Sequence, residues 1–274
     1  MIVFSCILLL DALFSYYEKP RIEGVCMEEK RVLLMLSGGR DSFLAGCRLL
    51  EDRKDKYKLL MVTYDNGCSI QSNNTKYVAD RIIARYGADR AKFLGVYHIS
   101  GVIREFFAPY FNMKPEEQAK EFAGLTPSQF HCLICRTSMY LYSIWLAKLN
   151  GALYLAEGGR KDQGFVIELP GMAQKRFPEL VEKAGLKLLL PVYNLDGNWI
   201  RDNELLIRNY NCKSLEPKCL IGYPIENSVD DTVIEGVHRY FDNIILPAIE
   251  QRGLLDIDKV KDIFIDSNYD ELIK

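Results

Sequence analysis

Leu36-Ser37-Gly38-Gly39-Arg40-Asp41-Ser42 is the stretch that decides the fold. Residues 31–36 before it form a short apolar run that reads as a strand, and residues 42–53 after it are amphipathic and read as a helix. Two consecutive glycines let the backbone pass close to a ligand with no Cβ in the way. The helix start offers unpaired N–H groups and the positive end of a dipole to an anion. Ser37 and Ser42 add hydroxyl donors for phosphate oxygens. Asp41 supplies an oxygen ligand of the kind Mg2+ takes when it bridges phosphates. No Gly-Lys-Ser/Thr closes the string, so it is not the Walker pattern. A glycine turn with a serine cap is the plain alternative, and the full string between a strand and a helix speaks against it.

Working outward, short apolar runs keep alternating with amphipathic ones, as in a parallel sheet covered by helices. Strands are predicted at residues 58–64, 92–97, 152–156 and 186–190, the last stopped by Pro191. Helices are predicted at 73–86, 102–111 and 133–149, with 112–130 as loop or short helix. Asp65-Asn66-Gly67 is a turn signal after the second strand. From about 203 onward the chain reads as helical, with a long amphipathic pattern over 228–251 and an acidic, helix-like end. The expectation is an α/β protein with a doubly wound parallel sheet and a helical C-terminal part. Its divisions are 1–30 as an N-terminal extension, 31–200 as the main domain and 201–274 as the helical region.

The 274 residues suffice for a sizeable core, and 49% hydrophobic with 26% charged residues is ordinary for a globular chain. A formal net charge of -2 does not favour a dedicated nucleic-acid binder, although a local basic face can sit within a neutral total. The apolar opening, residues 1–10, lacks a basic flank, is interrupted by Asp11 and is too short to span a bilayer. It reads as a packed helix, or as preceding a true start at Met27. With no convincing signal peptide, the cytosol is expected, where cysteines are more often ligands or nucleophiles than disulfides.

There are eight cysteines. Cys132-Leu133-Ile134-Cys135 has metal-ligand spacing and is expected at a helix start, which would favour thiolates. By itself such a pair is redox-active, half a zinc site, or two ordinary thiols. Cys219 lies far downstream with Cys212 near it, whereas Cys6, Cys26, Cys47 and Cys68 have no ligand spacing and read as small buried hydrophobes.

The phosphate-loop string resembles the Ser-Gly-Gly-x-Asp-Ser signature of the PP-loop ATP pyrophosphatases, which have the adenine nucleotide alpha hydrolase-like fold. That resemblance implies cleavage of ATP between its α- and β-phosphates, with AMP joined to an oxygen of the substrate. It implies adenosine at Leu36, Tyr64, Asp65 and Asn66, with phosphates on Ser37, Gly38, Gly39, Arg40, Ser42 and Gly158. Asp41 and Asp162 are then the expected catalytic residues, with ATP and Mg2+ as cofactors.

The run 130–163 is similar to the tRNA 2-thiocytidine and 2-thiouridine synthetases. Those enzymes carry a CxxC, an arginine, a long helix and a strand ending in Gly-His-x-x-Asp-Asp/Gln. Here Cys132, Cys135 and Arg136 are followed by Gly158-Gly159-Arg160-Lys161-Asp162-Gln163, and Cys219 falls where the family has one more cysteine. The resemblance implies that Cys132, Cys135 and Cys219 hold a [4Fe–4S] cluster whose open iron binds sulfide. The implied partners are tRNA or a small-molecule substrate and a sulfur donor; a homodimer is left open and no membrane is involved. Gly159 stands where that family has histidine, and its arginine-rich run is reduced to Arg136. PP-loop sugar amidotransferases resemble the chain in Asp65-Asn66-Gly67, so the alternative is an amide- or amidine-forming ligase with a zinc-bound CxxC.

Among other residues, Asp162 reads as facing phosphate or capping a helix, and Arg160 and Lys161 as phosphate ligands or a solvated pair. His131 is expected to be structural, and Tyr140, Tyr142 and Trp145 to be core. Lys175, Arg176, Lys183 and Lys187 form a loose basic face, solvated by default.

Overall fold

β1 (Lys30–Met35) and β2 (Tyr57–Asp65) are apolar on both faces, so both faces must be covered. Val32, Leu34, Leu59 and Met61 enter one buried cluster, while Leu33, Met35, Leu60 and Val62 enter another on the opposite side. The computed structural model describes residues 29–114, 116–118, 127–163, 172–210, 214–221 and 231–260. The apolar opening, Cys6, Cys26, Cys212, Gly222 and the acidic end lie outside the described residues.

In chain order β1 is followed by α1 (Arg40–Glu51), β2, β3 (Ser69–Ile70), α2 (Thr75–Tyr86), β4 (Ala91–His98) and α3 (Ser100–Asn112). Next come α4 (Pro127–Leu149), β5 (Tyr154–Ala156), α5 (Phe177–Lys183), β6 (Lys187–Leu189), α6 (Asn198–Ile207) and β7 (Lys218–Cys219). The described chain ends with α7 (Asp231–Tyr240), a π-helical turn at Phe241–Ile245 and α8 (Leu246–Gln251). The main sheet is parallel, in the order β4-β2-β1-β5-β6. α1, α2 and, through Leu205, α6 cover one face; α3, α4, α5, α7 and α8 cover the other. No helix among the described residues is long and apolar enough to cross a membrane.

From β1 the chain winds outward through β2 to β4, then crosses back to β5 and β6. The switch point of a doubly wound sheet therefore lies between the carboxyl ends of β1 and β5, where such folds bind ligands.

Three local expectations are corrected. Among the described residues the long helix already runs from Pro127, not from near 133. The CxxC pair therefore lies inside α4, beyond the first turn, where backbone N–H groups are already spent on the helix. It does not receive the dipole of a helix start. Short antiparallel strands β3 and β7, absent from the sequence reading, pair Ser69 with Cys219. α5 was also unassigned, and α6 begins at Asn198, a few residues before the expected helical region.

Candidate functional site

Two cavities open at the carboxyl ends of β1, β2 and β5, and they share Met35, Ser37, Arg136 and Glu216 as a common wall. The larger, about 460 Å3, lies at the switch point and takes in Ser37, Gly39, Arg40, Asp41, Ser42, Glu157, Gly158, Gly159, Gln163 and Arg201. The smaller, about 270 Å3, lies between β1, β2 and α4. It takes in Leu36, Val62, Tyr64, Asn66, His131, Cys132, Cys135 and Cys219.

The phosphate-loop string folds as its residues dictate. Gly38 has a φ of +77°, and an added Cβ would meet Thr75 Cγ2 at 2.8 Å. The first backbone bond of α1 runs from Phe43 N–H to the Gly39 carbonyl, so the N–H groups of the first helical turn are left for a ligand. Ser42 Oγ donates to the Gly39 carbonyl at 3.0 Å and lies 3.2 Å from Ser37 Oγ. Gly158, at the end of β5, packs straight onto this helix start: a Cβ there would lie 2.5 Å from Ser42 N.

Charged groups of both signs surround the loop. Asp41 accepts from Gln163 Nε2 at 3.1 Å and pairs with Arg201 at 3.4 Å and Arg160 at 3.5 Å. Arg201 reaches the loop because α6 is tied to α1 by Arg40–Asp202 at 3.2 Å, Arg208–Glu51 at 2.6 Å and Arg48–Glu204. Arg136, on α4, pairs with Glu157, which is 1% exposed and keeps its Oε1 without a hydrogen-bond partner. Glu216 has an exposed outer side, yet its carboxylate rests on the loop: a Cβ on Gly39 would lie 3.1 Å from its Oε2. Burial, above all, pushes the Glu216 carboxyl above the usual range, with the Asp41 charge adding and a hydrogen bond from Ser37 opposing.

The sulfur side is assembled by a turn. Asp65 Oδ1 accepts from Gly67 N–H at 2.8 Å, and Asn66 Oδ1 accepts from Cys68 N–H and Ser69 Oγ, both at 2.9 Å. These bonds lead the chain into β3, which pairs with β7 and brings Cys219 beside α4. Asn66 Nδ2 lies 3.4 Å from Cys135 Sγ and 3.6 Å from Cys219 Sγ. His131 is buried in the same wall, with Nε2 3.8 Å from Cys219 Sγ, and burial holds its pKa below the usual range.

Cys132, Cys135 and Cys219 are donors of the kind that either a zinc ion or an iron–sulfur cluster takes. Among the described residues no three His, Cys, Asp or Glu side chains stand close enough to grip one metal ion. A tetrahedral zinc would draw its sulfurs to within about twice 2.3 Å of each other. A four-iron cube would instead take its thiolates on different irons, and here Cys132, Cys135 and Cys219 line one space with Asn66 Nδ2 3.4 Å from Cys135 Sγ and 3.6 Å from Cys219 Sγ.

Several sequence expectations change on this geometry. Asp162 lies outside the cavity walls; its Oδ2 accepts from Gly197 N–H at 3.2 Å and its Oδ1 lies 3.2 Å from Arg160 Nε. Arg160 is 4% exposed, so it is no solvated partner; its guanidinium joins Asp41, Asp162 and Asn198 Oδ1. Asp65 turns away from both cavities into a hollow with Lys76 and His98. Cys68 is half-buried beside Cys219 rather than enclosed, unlike Cys47, whose thiol burial pushes up to about 11. His131 is a cavity residue as well as a buried one. Arg176 and Lys183 pair with Asp242 and Glu250 instead of forming an open basic face. Tyr140 and Tyr142 are core, as expected. Glu157, Arg201 and Glu216 were not foreseen; a buried-strand residue followed by Gly-Gly was the only local signal, for Glu157.

No family model and no curated protein sequence matches the chain. Among solved structures it is similar to a 4-thiouridine synthetase in complex with RNA and bound ATP. The TM-score is 0.53 at 16% identity, covering 82% of this chain and 53% of that one. The chain thus spans about half the length of that structure, and at this identity what the two share is the fold. Weaker likenesses, below a TM-score of 0.5, are the U34-tRNA thiolase NcsA from Methanococcus maripaludis with its [4Fe-4S] cluster and a predicted tRNA methyltransferase subunit from Methanocaldococcus jannaschii. The first has a TM-score of 0.45 at 16% identity, covering 85% of this chain and 71% of that one. The second has 0.42 at 14%, covering 70% and 96%. The fold is the one that the PP-loop resemblance implied.

Proposed function

We propose that the chain is an ATP-dependent adenylating enzyme that forms AMP and pyrophosphate and inserts sulfur into a tRNA base or a related small substrate. The observation that carries this reading is the shared wall. A cradle for phosphate and a cavity holding three cysteines meet at Ser37, Arg136 and Glu216, so a nucleotide and a sulfur centre would face one another.

In this reading the pyrophosphate lies over Gly38 and Gly39 against the open N–H groups of α1, with Ser37 as a hydroxyl donor and Ser42 joining it once its hydroxyl turns from the Gly39 carbonyl. Arg136 and Arg201 face the charge that builds on the phosphates as the α–β bond breaks. Asp41 presents carboxylate oxygens to the same space and would share Mg2+ with the phosphates. Adenine sits on the apolar side by Leu36, Val62, Tyr64 and Met139. Cys132, Cys135 and Cys219 would hold a [4Fe–4S] cluster, which when bound would supply the sulfur-transfer chemistry. Residues 31–200 bind ATP, and 201–274 add Arg201, Glu216 and the third cysteine.

A 4-thiouridine synthetase of this fold has been solved with RNA and ATP bound, which supports an RNA substrate. We read the chain as cytoplasmic. A second reading rests on His131 Nε2, 3.8 Å from Cys219 Sγ: Cys and His are zinc donors, and a zinc site would suit an amide-forming ligase. Anaerobic purification separates the two. A brown protein that converts ATP to AMP and pyrophosphate is expected. Colourless zinc protein supports the ligase, and ADP with orthophosphate rejects both.

A further inference from the structure

Asn66 is 6% exposed, sits where β2 gives way to β3, and stands within hydrogen-bonding reach of Cys135, Cys219 and His131 in the sulfur cavity. Its amide cannot be turned around. Oδ1 accepts from the backbone N–H of Cys68 at 2.9 Å, and a backbone nitrogen is always a donor. Ser69 Oγ meets the same oxygen at 2.9 Å. Nδ2 therefore faces the cavity, with two hydrogens to give to Cys135 Sγ at 3.4 Å, Cys219 Sγ at 3.6 Å and His131 Nε2 at 3.4 Å. Cys135 belongs to α4 and Cys219 to β7, so one buried side chain joins two sulfurs that are 84 positions apart in sequence.

We infer that Asn66 is a positioning residue of the sulfur centre, whose fixed amide N–H groups donate to the sulfurs of Cys135 and Cys219 and set the electron density these ligands pass to the metal. This rests on the iron–sulfur reading above. An N–H group aimed at a thiolate stabilises negative charge on the sulfur, which favours the reduced state of an attached cluster. Taking the donors away leaves that charge uncompensated and favours the oxidised state.

The test uses the full chain reconstituted anaerobically with iron and sulfide. Iron content and the cluster's midpoint potential are compared among wild type, Asn66→Asp and Asn66→Ser. Asn66→Asp keeps the shape and the acceptor for Cys68 N–H but loses both donors, and its potential should shift downward at near wild-type iron content. Asn66→Ser should shift the same way by less, and carries the measurement if the aspartate variant does not fold. A brown wild type whose potential is unchanged in the folded variants overturns the role of Asn66 alone. A wild type that takes up no iron overturns the iron–sulfur reading and this inference with it.

Discussion

The two cavities share a wall but are built on opposite principles. The phosphate cavity balances charge in place: Arg40, Arg136 and Arg201 stand against Asp41, Glu157 and Glu216. The sulfur cavity has an apolar floor of Met35, Leu36, Val62 and Met139, and away from the shared Arg136 and Glu216 it presents a neutral amide, an imidazole and thiols. A charge-balanced site must rearrange when an anion arrives, because the Glu216 carboxylate already rests against the loop at Ser37 and Gly39. A site of neutral donors around soft ligands has no such counter-charge to displace. The difference teaches that nucleotide binding should be sensitive to single charges, and the sulfur centre to single ligands.

Removing a ligand is the harshest break. Cys132→Ala, Cys135→Ala and Cys219→Ala should each lose the cluster on anaerobic reconstitution, and Cys212→Ala should keep it. Full iron content in Cys219→Ala would remove β7 from the sulfur side altogether.

Next in size, Gly158→Ala should break the phosphate side and spare the other. Its Cβ would meet backbone at 2.5 Å, which no side-chain rotation relieves. Overpacking of about 3 kcal/mol corresponds to a loss of AMP formation on the order of a hundredfold. Iron content should stay near wild type; a parallel fall would mean that the cavities are one mechanical unit.

Smaller again, Asp41→Asn or Ser37→Ala should slow AMP and pyrophosphate formation at least about tenfold, since one preorganised contact to a developing charge contributes a few kcal/mol. Unchanged turnover would move the phosphates elsewhere.

The mildest change should be a gain. Glu216→Gln removes a charge from the loop and should tighten ATP binding by about fivefold, or about 1 kcal/mol, in a direct binding titration. Its folded carboxyl lies above the usual range, so the proton is held more tightly in the folded state. The stability this gives is present below the ordinary carboxyl range and is lost as pH rises through the folded value. Glu216→Gln should therefore melt higher than wild type at pH 7, with the gap closing toward pH 4. Weaker ATP binding in this variant would show that Glu216 helps hold the nucleotide instead of competing with it.

What the sequence determined alone is what consecutive residues decide. Gly38 and Gly39 between an apolar run and an amphipathic one give strand, open loop and helix start whatever surrounds them, since backbone freedom and orphan N–H groups are local properties. The order of strands and helices was legible for the same reason, from apolar periodicity. Tertiary structure decided the rest. Arg201 reaches Asp41 across 160 positions because ion pairs dock α6 on α1. Glu157 and Gly158 reach the loop because the order in which strands are added reverses between β1 and β5. Cys219 reaches Cys135 because an Asx-type turn at Asp65 and Asn66 launches β3 toward β7. Each depends on which elements pack side by side, and free energies of packing are sums over distant contacts that no local window of sequence contains.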